Sequence, residues 1–314
     1  MAEIKLFYHK DGVVRLSRSL DFLKSNPIQS FLWIDLNDVD EEVENELEDF
    51  LKIYIQEEEE MIEIEMSSRY IETQDTLVVN SNFLLSNFES DPVSFILKNN
   101  ILVTVRSEEL ISFHETVKKI SANPKGYNTG ADVLVALLET RVEFDADMIE
   151  NMTHKITQLS NSLSLQEADK ELLGEIKNLQ EKTMMLRENI IDKQRTVSSM
   201  LRSDFIPKEL QPKLSMVIRD INSLVEHIKF SFDRLDYLQD TFLGYVNIEQ
   251  NKIIKIFTIV SVIFMPPTLI ASIYGMNFTA MPELNMKWGY PVSIGLMVLS
   301  SLAILLYFKK RKWL

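Results

Sequence analysis

The sequence predicts an α+β domain, then a long helical stalk, then two transmembrane helices at the C-terminus. Three observations carry this reading. Up to about Lys125, short β-rich runs alternate with helical ones; beyond it, apolar residues recur at three- and four-residue steps. From Ile256 to Tyr274 no residue is charged over about 19 positions, roughly 28 Å of helix and enough to span a bilayer. Trp288 to Phe308 is a second uncharged run, of about 21 positions. The expected division is an α/β domain over 1–125, an antiparallel helical hairpin over 126–206 and a stalk helix over 207–255. Spans follow over 256–275 and 288–308, joined by a loop at 276–287, and a basic tail closes the chain at 309–314.

Within the first domain, Ile4–Tyr8, Phe31–Ile34, Thr76–Val79, Val93–Leu97 and Ile101–Val105 have the β-branched and aromatic content of strands, and Asn99-Asn100 suits a tight hairpin turn. Asp38 to Ile55 reads as an acidic amphipathic helix capped by Asp38 or Asp40, and Glu109 to Ile120 as another. Gly12, Gly126 and Gly130 are isolated and form no phosphate cradle, so nucleotide binding is not expected. After Asn123-Pro124-Lys125-Gly126, Ile149, Met152, Ile156, Leu159 and Leu163 form one stripe and Leu172, Ile176, Leu179, Leu186, Ile190 and Val197 another. That pattern predicts two antiparallel helices with a turn at Ser160–Ser164. Pro207 and Pro212 mark a further helix start. From it the stripe Leu214, Val217, Ile221, Leu224, Ile228, Leu235, Leu238, Phe242, Tyr245 runs with no strong breaker before Pro266. A helix of about 65 residues, roughly 100 Å, needs neighbours along its length, which predicts an oligomer.

Composition narrows the function. There is no cysteine, hence no disulfide framework and no thiolate metal site. The formal net charge of −14 argues against nucleic acid and suits a surface that attracts cations or is simply solvated. His9, His114, His154 and His227 are scattered, and no nucleophile, base and orienter stand at defensible spacing, so an enzyme is not expected. The N-terminus lacks a basic stretch followed by an apolar core. Lys252 and Lys255 precede the first span and Lys309, Lys310, Arg311 and Lys312 follow the second, whereas the loop holds only Glu283 and Lys287. Basic residues near the spans predict both termini in the cytoplasm and the loop outside.

Between the spans lies Ile273-Tyr274-Gly275-Met276-Asn277-Phe278, followed by Met281-Pro282-Glu283-Leu284. This arrangement resembles the CorA family of divalent-cation channels. Asn247-Ile248-Glu249-Gln250-Asn251, Pro266-Pro267-Thr268-Leu269, Trp288, Gly289-Tyr290-Pro291 and the basic tail extend the resemblance over about the last quarter of the chain. The resemblance implies a funnel-shaped homopentamer in the bacterial inner membrane that passes Mg2+, with cobalt and nickel as further ions. It also implies closure when intracellular Mg2+ binds between subunits, so Mg2+ is substrate and regulatory ligand rather than cofactor. Met-Pro-Glu-Leu in the loop is the form found in magnesium-type members; the alternatives are the same fold carrying zinc or another divalent ion, and a membrane-anchored coiled-coil scaffold that conducts nothing.

Asn251, Ile254, Thr258, Ser261, Met265, Thr268 and Ser272 form one stripe on the first span, rich in hydroxyls on a helix otherwise made of Ile, Val, Phe and Leu. Such hydroxyls bond to their own backbone, to a neighbouring helix, or to water in a pore. With the resemblance, the stripe reads as pore lining, and Ile254, Phe257 and Met265 as apolar constrictions that gate by dewetting. Pro266-Pro267 removes two backbone donors, leaving carbonyls near Phe264 and Met265 to face the conduit or other partners. Mg2+ holds its octahedral waters tightly. A ring of neutral Asn277 amides, joined by the Gly275 carbonyl and held by Tyr274 and Met276, accepts hydrogen bonds from those waters and selects the hydrated ion. Glu283 is the loop's one acid and a candidate for attracting cations. Asp220, Glu226, Asp233, Asp236 and Asp240 on the stalk, and Glu57–Glu60, are candidates for sensing the ion across subunits.

Overall fold

The structure, a computed structural model, describes residues 3–61, 65–163, 170–277 and 281–311 of the chain. Two compact units emerge, Met1–Gln239 and Asp240–Leu314. Phe278 of the hexapeptide, Ser164 of the expected helical turn and Lys312 of the basic tail lie outside the described residues.

The first unit holds a seven-stranded sheet made of β1 (Glu3–Lys10), β2 (Val13–Ser17), β3 (Phe31–Asn37), β4 (Tyr70–Glu72), β5 (Thr76–Leu84), β6 (Ser90–Lys98) and β7 (Ile101–Arg106). Their order is β2-β1-β3-β7-β6-β5-β4. Only β3 and β7 pair in parallel, so two antiparallel ribbons meet at that seam. The β6–β7 hairpin turns at Asn99 and Asn100, whose φ values of 50° and 68° are the pair of positive angles that a two-residue turn of type I′ requires.

Helices α1 (Leu20–Ser25), α2 (Glu41–Leu51), α3 (Glu58–Met61) and α4 (Met66–Arg69) come before β4; α5 (Ile111–Ala122) follows β7. Period-two alternation gives the sheet two unlike faces. Leu6, Ile34, Leu36, Ile96 and Val103 bury against Leu23, Leu47 and Leu51 of α1 and α2. The other face is aromatic and polar: Phe7 stacks on Trp33, and Phe83 and Phe95 meet Phe113 of α5. Here Asp35 receives both ends of the Arg106 guanidinium, at 3.1 and 2.8 Å, and the Thr104 hydroxyl at 2.8 Å, and Thr104 in turn accepts the Trp33 indole N–H.

Two long helices, α6 (Gly130–Leu163) and α7 (Lys170–Met200), cover that face. Gly130 starts α6 where a Cβ would lie 2.3 Å from the Leu102 nitrogen, so only glycine lets the helix begin against the β6–β7 hairpin. The expected helical pair is present, with one correction: α6 continues through Ser160–Leu163, because Leu163 keeps the four-residue step from Leu159 and Ser162 Oγ bonds back to the Leu159 carbonyl at 2.8 Å within the helix. β2 and β4, absent from the sequence reading, are short edge strands with little apolar alternation.

Pro207 caps a 3-10 turn at Lys208–Leu210, and α8 (Gln211–Tyr274) follows with Pro212 in its first turn. Within the first unit its stripe of Leu214, Val217, Ile221, Ile228, Leu235 and Leu238 is buried. α9 (Gly289–Lys310) begins directly after Trp288, at its N-cap. The described residues contain two helical stretches apolar and long enough to cross a membrane, one in α8 and one in α9.

Candidate pore and ion-selective mouth

Within the C-terminal unit, α9 packs on one side of α8. Ile259 is buried there, and Val262, Ile263, Pro266, Pro267, Ile270 and Tyr274 are partly covered. Asn251, Ile254, Thr258, Ser261, Met265, Thr268 and Ser272 are all exposed. Counting 100° per residue, the centre of that stripe lies roughly 150° around the helix from the covered face. The stripe is therefore the side of α8 that α9 leaves bare. Phe257, 69% exposed, and Phe264 flank it.

The hydroxyls of the stripe are partly spoken for. Thr258 Oγ1 donates to the Ile254 carbonyl at 2.8 Å and Thr268 Oγ1 to the Phe264 carbonyl at 2.7 Å. A hydroxyl bonded this way hides its proton and turns its lone pairs outward, which presents acceptor oxygens to whatever faces the stripe. The carbonyls that the prolines orphan are those four residues back, Val262 and Ile263. Ile263 accepts from Ser301 Oγ of α9 at 3.3 Å, so of the two outcomes the sequence left open this carbonyl takes a partner on α9.

α8 ends at Tyr274. Gly275 N–H closes the last turn onto Ala271 O at 2.9 Å, and Met276 N–H reaches Ile273 O at 3.2 Å. A Cβ on Gly275 would meet Ala271 O at 3.2 Å, so the glycine keeps the exit tight. Tyr274 is half-buried and borders a cleft with Ile270, Ile273, Met281, Glu283 and Leu296, while Met276 and Asn277 are exposed at the helix end. The sequence reading sets Met276 between helices; in the single chain it is 45% exposed.

Glu283 sits in a 3-10 turn, Pro282–Asn285, with its side chain exposed. Its carbonyl lies where a Cβ of Gly289 would fall, 2.2 Å away. Gly289 thus lets the loop fold onto the start of α9, a role the sequence reading missed for want of the loop's path. Just past the turn, Trp288 and Tyr290 are 75% and 77% exposed, in keeping with aromatic residues at a membrane interface.

On the stalk, Asp220, Glu226, Asp233, Asp236 and Asp240 are all exposed. Asp236 accepts from Gln180 Nε2 of α7 at 3.0 Å. Among the described residues no three acidic or histidine side chains of one chain gather as a metal site. Glu57 and Glu59 are exposed, and Glu60 takes the Tyr54 hydroxyl at 3.0 Å.

The first unit also encloses charges absent from the sequence expectations. Lys193 of α7 is fully buried and donates to Asp145 of α6 at 2.6 Å, while Arg141 donates to the same carboxylate at 2.6 Å. Both cations lie over the Phe83 ring. Burial, with Arg141 beside it, pushes the Lys193 ammonium down to about 7.

The CorA-like Mg2+ transporter protein family model matches residues 28–310. The magnesium transport protein CorA of Wolinella succinogenes is 40% identical over 99% of this chain and all of its own length. That of Escherichia coli K12 is 34% identical, covering 96% of this chain and 97% of its own. The solved CorA magnesium transporter of Methanocaldococcus jannaschii has the same fold, with a TM-score of 0.82 over 100% of this chain and 99% of that one at 22% identity. The ZntB cytoplasmic domain of Vibrio parahaemolyticus shares the fold over 78% of this chain and 98% of its own, at TM-score 0.60 and 11% identity. With a family match over most of its length and relatives of this identity end to end, the chain belongs to the CorA-like Mg2+ transporter family.

Proposed function

We propose that the chain assembles as a homo-oligomer, a pentamer by resemblance, that conducts Mg2+ passively into the cytoplasm through a pore lined by the bare stripe of α8. The observation that carries this is the stripe itself: seven residues on the side away from α9, ending at Gly275-Met276-Asn277 between two membrane-length helices. From Leu243 to Thr258 none of the α8 residues is buried, although Leu243, Ile248, Ile253, Ile254 and Phe257 are among them. So much bare apolar helix calls for partners, and copies of the same chain supply them around an axis.

In that assembly Asn277 side chains ring the mouth. Their neutral oxygens accept hydrogen bonds from the waters of a hydrated divalent ion without stripping them, which suits an ion that dehydrates reluctantly. Co2+ and Ni2+, of similar hydrated size, follow the same path. Gly275 contributes its carbonyl and Tyr274 and Met276 hold the ring. Thr258, Ser261, Thr268 and Ser272 keep the conduit wet, and Ile254, Phe257 and Met265 are the apolar constrictions. A doubly charged ion moving inward gains about 4.6 kcal/mol per 100 mV, so no nucleotide and no covalent chemistry are required. Glu283 raises the local cation concentration outside. The stalk acids, brought against a neighbouring copy, are held together by intracellular Mg2+ and release one another when it falls. The basic residues beside the spans favour both termini in the cytoplasm and the inner membrane as the site of action.

The test is Mg2+ entry into proteoliposomes containing a magnesium dye under a negative-inside potential. The parent is expected to admit Mg2+, and Asn277→Ala, as an intact oligomer, to lose roughly 10- to 100-fold of that rate, since one hydrogen bond to a charged group is worth about 1.5–3 kcal/mol. Entry of Zn2+ but not Mg2+ would replace the ion; no entry of any divalent cation would overturn the channel.

A further inference from the structure

Hydroxyls in the two spans bond in two ways. Thr258, Thr268 and Ser300 each donate back to their own helix, to Ile254, Phe264 and Met297 at 2.8, 2.7 and 2.8 Å. Ser301 of α9 instead crosses to α8, its Oγ donating to the Ile263 carbonyl at 3.3 Å. That carbonyl is not an arbitrary acceptor. In an α-helix it belongs to the N–H four residues on, and position 267 is proline. The surroundings offer no substitute: Phe264, Pro267, Met297, Val298, Leu302 and Leu305 line an open cleft of about 340 Å³ beside Ser301. In a bilayer an unmatched carbonyl there is costly, so the hydroxyl has a reason to reach across that its neighbour Ser300 lacks.

We propose that Ser301 is a positioning residue for the conducting helix, its hydroxyl standing in for the amide proton that Pro267 lacks and tethering α9 to α8 at the proline pair. This rests on the reading of α8 as pore-lining. The tethered turn carries Met265 and Thr268 of the stripe, so the bond fixes where a constriction and a hydroxyl stand relative to the outer helix. A serine can also bond back to its own helix, but doing so here would leave the Ile263 carbonyl unmatched, so the tethered state is the favoured one. Any movement of the Phe264–Thr268 turn during opening works against it.

The experiment is a double-mutant cycle on the full-length oligomer: parent, Ser301→Ala, Pro267→Ala and the double variant, each read by Mg2+ uptake rate and by thermal unfolding in detergent. Ser301→Ala is expected to change the uptake rate about three- to tenfold, the range of interhelical hydrogen bonds in membranes, with the half-saturating Mg2+ concentration unmoved. Ser301→Thr restores the parent rate. In the Pro267→Ala background, where position 267 regains an N–H, Ser301→Ala is expected to change neither readout. Equal effects in both backgrounds, or none in either, overturn the tether. The two failures separate: a parent that moves no divalent cation overturns the channel reading and the positioning role with it, whereas a conducting parent with uncoupled variants overturns the role of Ser301 alone.

Discussion

In the N-terminal unit Lys193 is wholly enclosed, and its ammonium ends on Asp145 and Asn189 of the same chain. In the C-terminal unit Asn251, Ser261 and Ser272 stand exposed on a helix whose apolar neighbours are exposed too. The first region turns most of its buried charges onto partners of the same chain, although Asn80 Oδ1, Ser94 Oγ and Arg141 Nε are buried there without one. Arg106 closes on Asp35, Arg69 on Asp192, and Asn189 Nδ2 donates to the Asn82 carbonyl at 2.7 Å, where β5 runs past the end of β4. The second region completes few within one chain; on the proposed reading its partners are other copies, lipid and the ion. A sealed interior makes a domain that holds its shape; a bare stripe makes a surface that does its work only when assembled.

Breaking the seal should have the largest effect. Asp145→Ala leaves Arg141 and Lys193 buried without their shared carboxylate, and losing one partner of a buried pair costs about 3–5 kcal/mol. Thermal unfolding should show the N-terminal unit melting far below the parent, or not folding at all. Asp145→Asn, which keeps the shape and loses the charge, should fall between.

A subtler probe of the same cluster is pH. The Lys193 pKa is depressed in the fold, so the folded state binds fewer protons than the unfolded one above pH 7 and stability rises there with pH. The cost of enclosing the charge is present in full below about pH 7 and is relieved as pH climbs through that value. Between pH 7 and 9 the parent should therefore gain about 1 kcal/mol per pH unit relative to Lys193→Met, which has no proton to lose. Parallel stability curves for the two would mean that the lysine is charged throughout and balanced by its neighbours.

In the C-terminal unit the smallest change is at Gly289. Gly289→Ala places a Cβ against the Glu283 carbonyl. The clash at 2.2 Å is with backbone, so the turn or the start of α9 must shift, at a cost within the about 1–3 kcal/mol typical of overpacking. Protease sensitivity of the loop should rise while oligomers persist; an unchanged digestion pattern would show that the close approach constrains nothing.

The contrast also explains what was readable from the sequence. The C-terminal unit announces itself locally, through two uncharged runs, a stripe of hydroxyls at helical spacing and the hexapeptide between them. Strands β3, β5, β6 and β7 are legible from their β-branched and aromatic content, although β5 and β6 extend well beyond the expected segments. β2 and β4 are not, since an edge strand needs no apolar alternation. The buried cluster gives only half a signal: Arg141 and Asp145 are four apart on α6, as are Asn189 and Lys193 on α7, but nothing local says that the two pairs meet. Ser301 is similar. Pro267 names the orphaned carbonyl, yet the register of α9 on α8 decides whether Ser300 or Ser301 answers it.

The central claim is that the side of α8 turned away from α9 faces water. The chain has no cysteine, so single cysteines can be introduced without background. Ser261→Cys, Thr268→Cys and Ser272→Cys on the stripe would be compared with Ile259→Cys, Ile263→Cys and Ile270→Cys on the covered face, in proteoliposomes treated with a charged, membrane-impermeant thiol reagent. The account expects the stripe cysteines to react and Mg2+ entry to fall with them, while the covered-face cysteines stay unmodified. Reaction confined to the covered face, or equal on both, would contradict it.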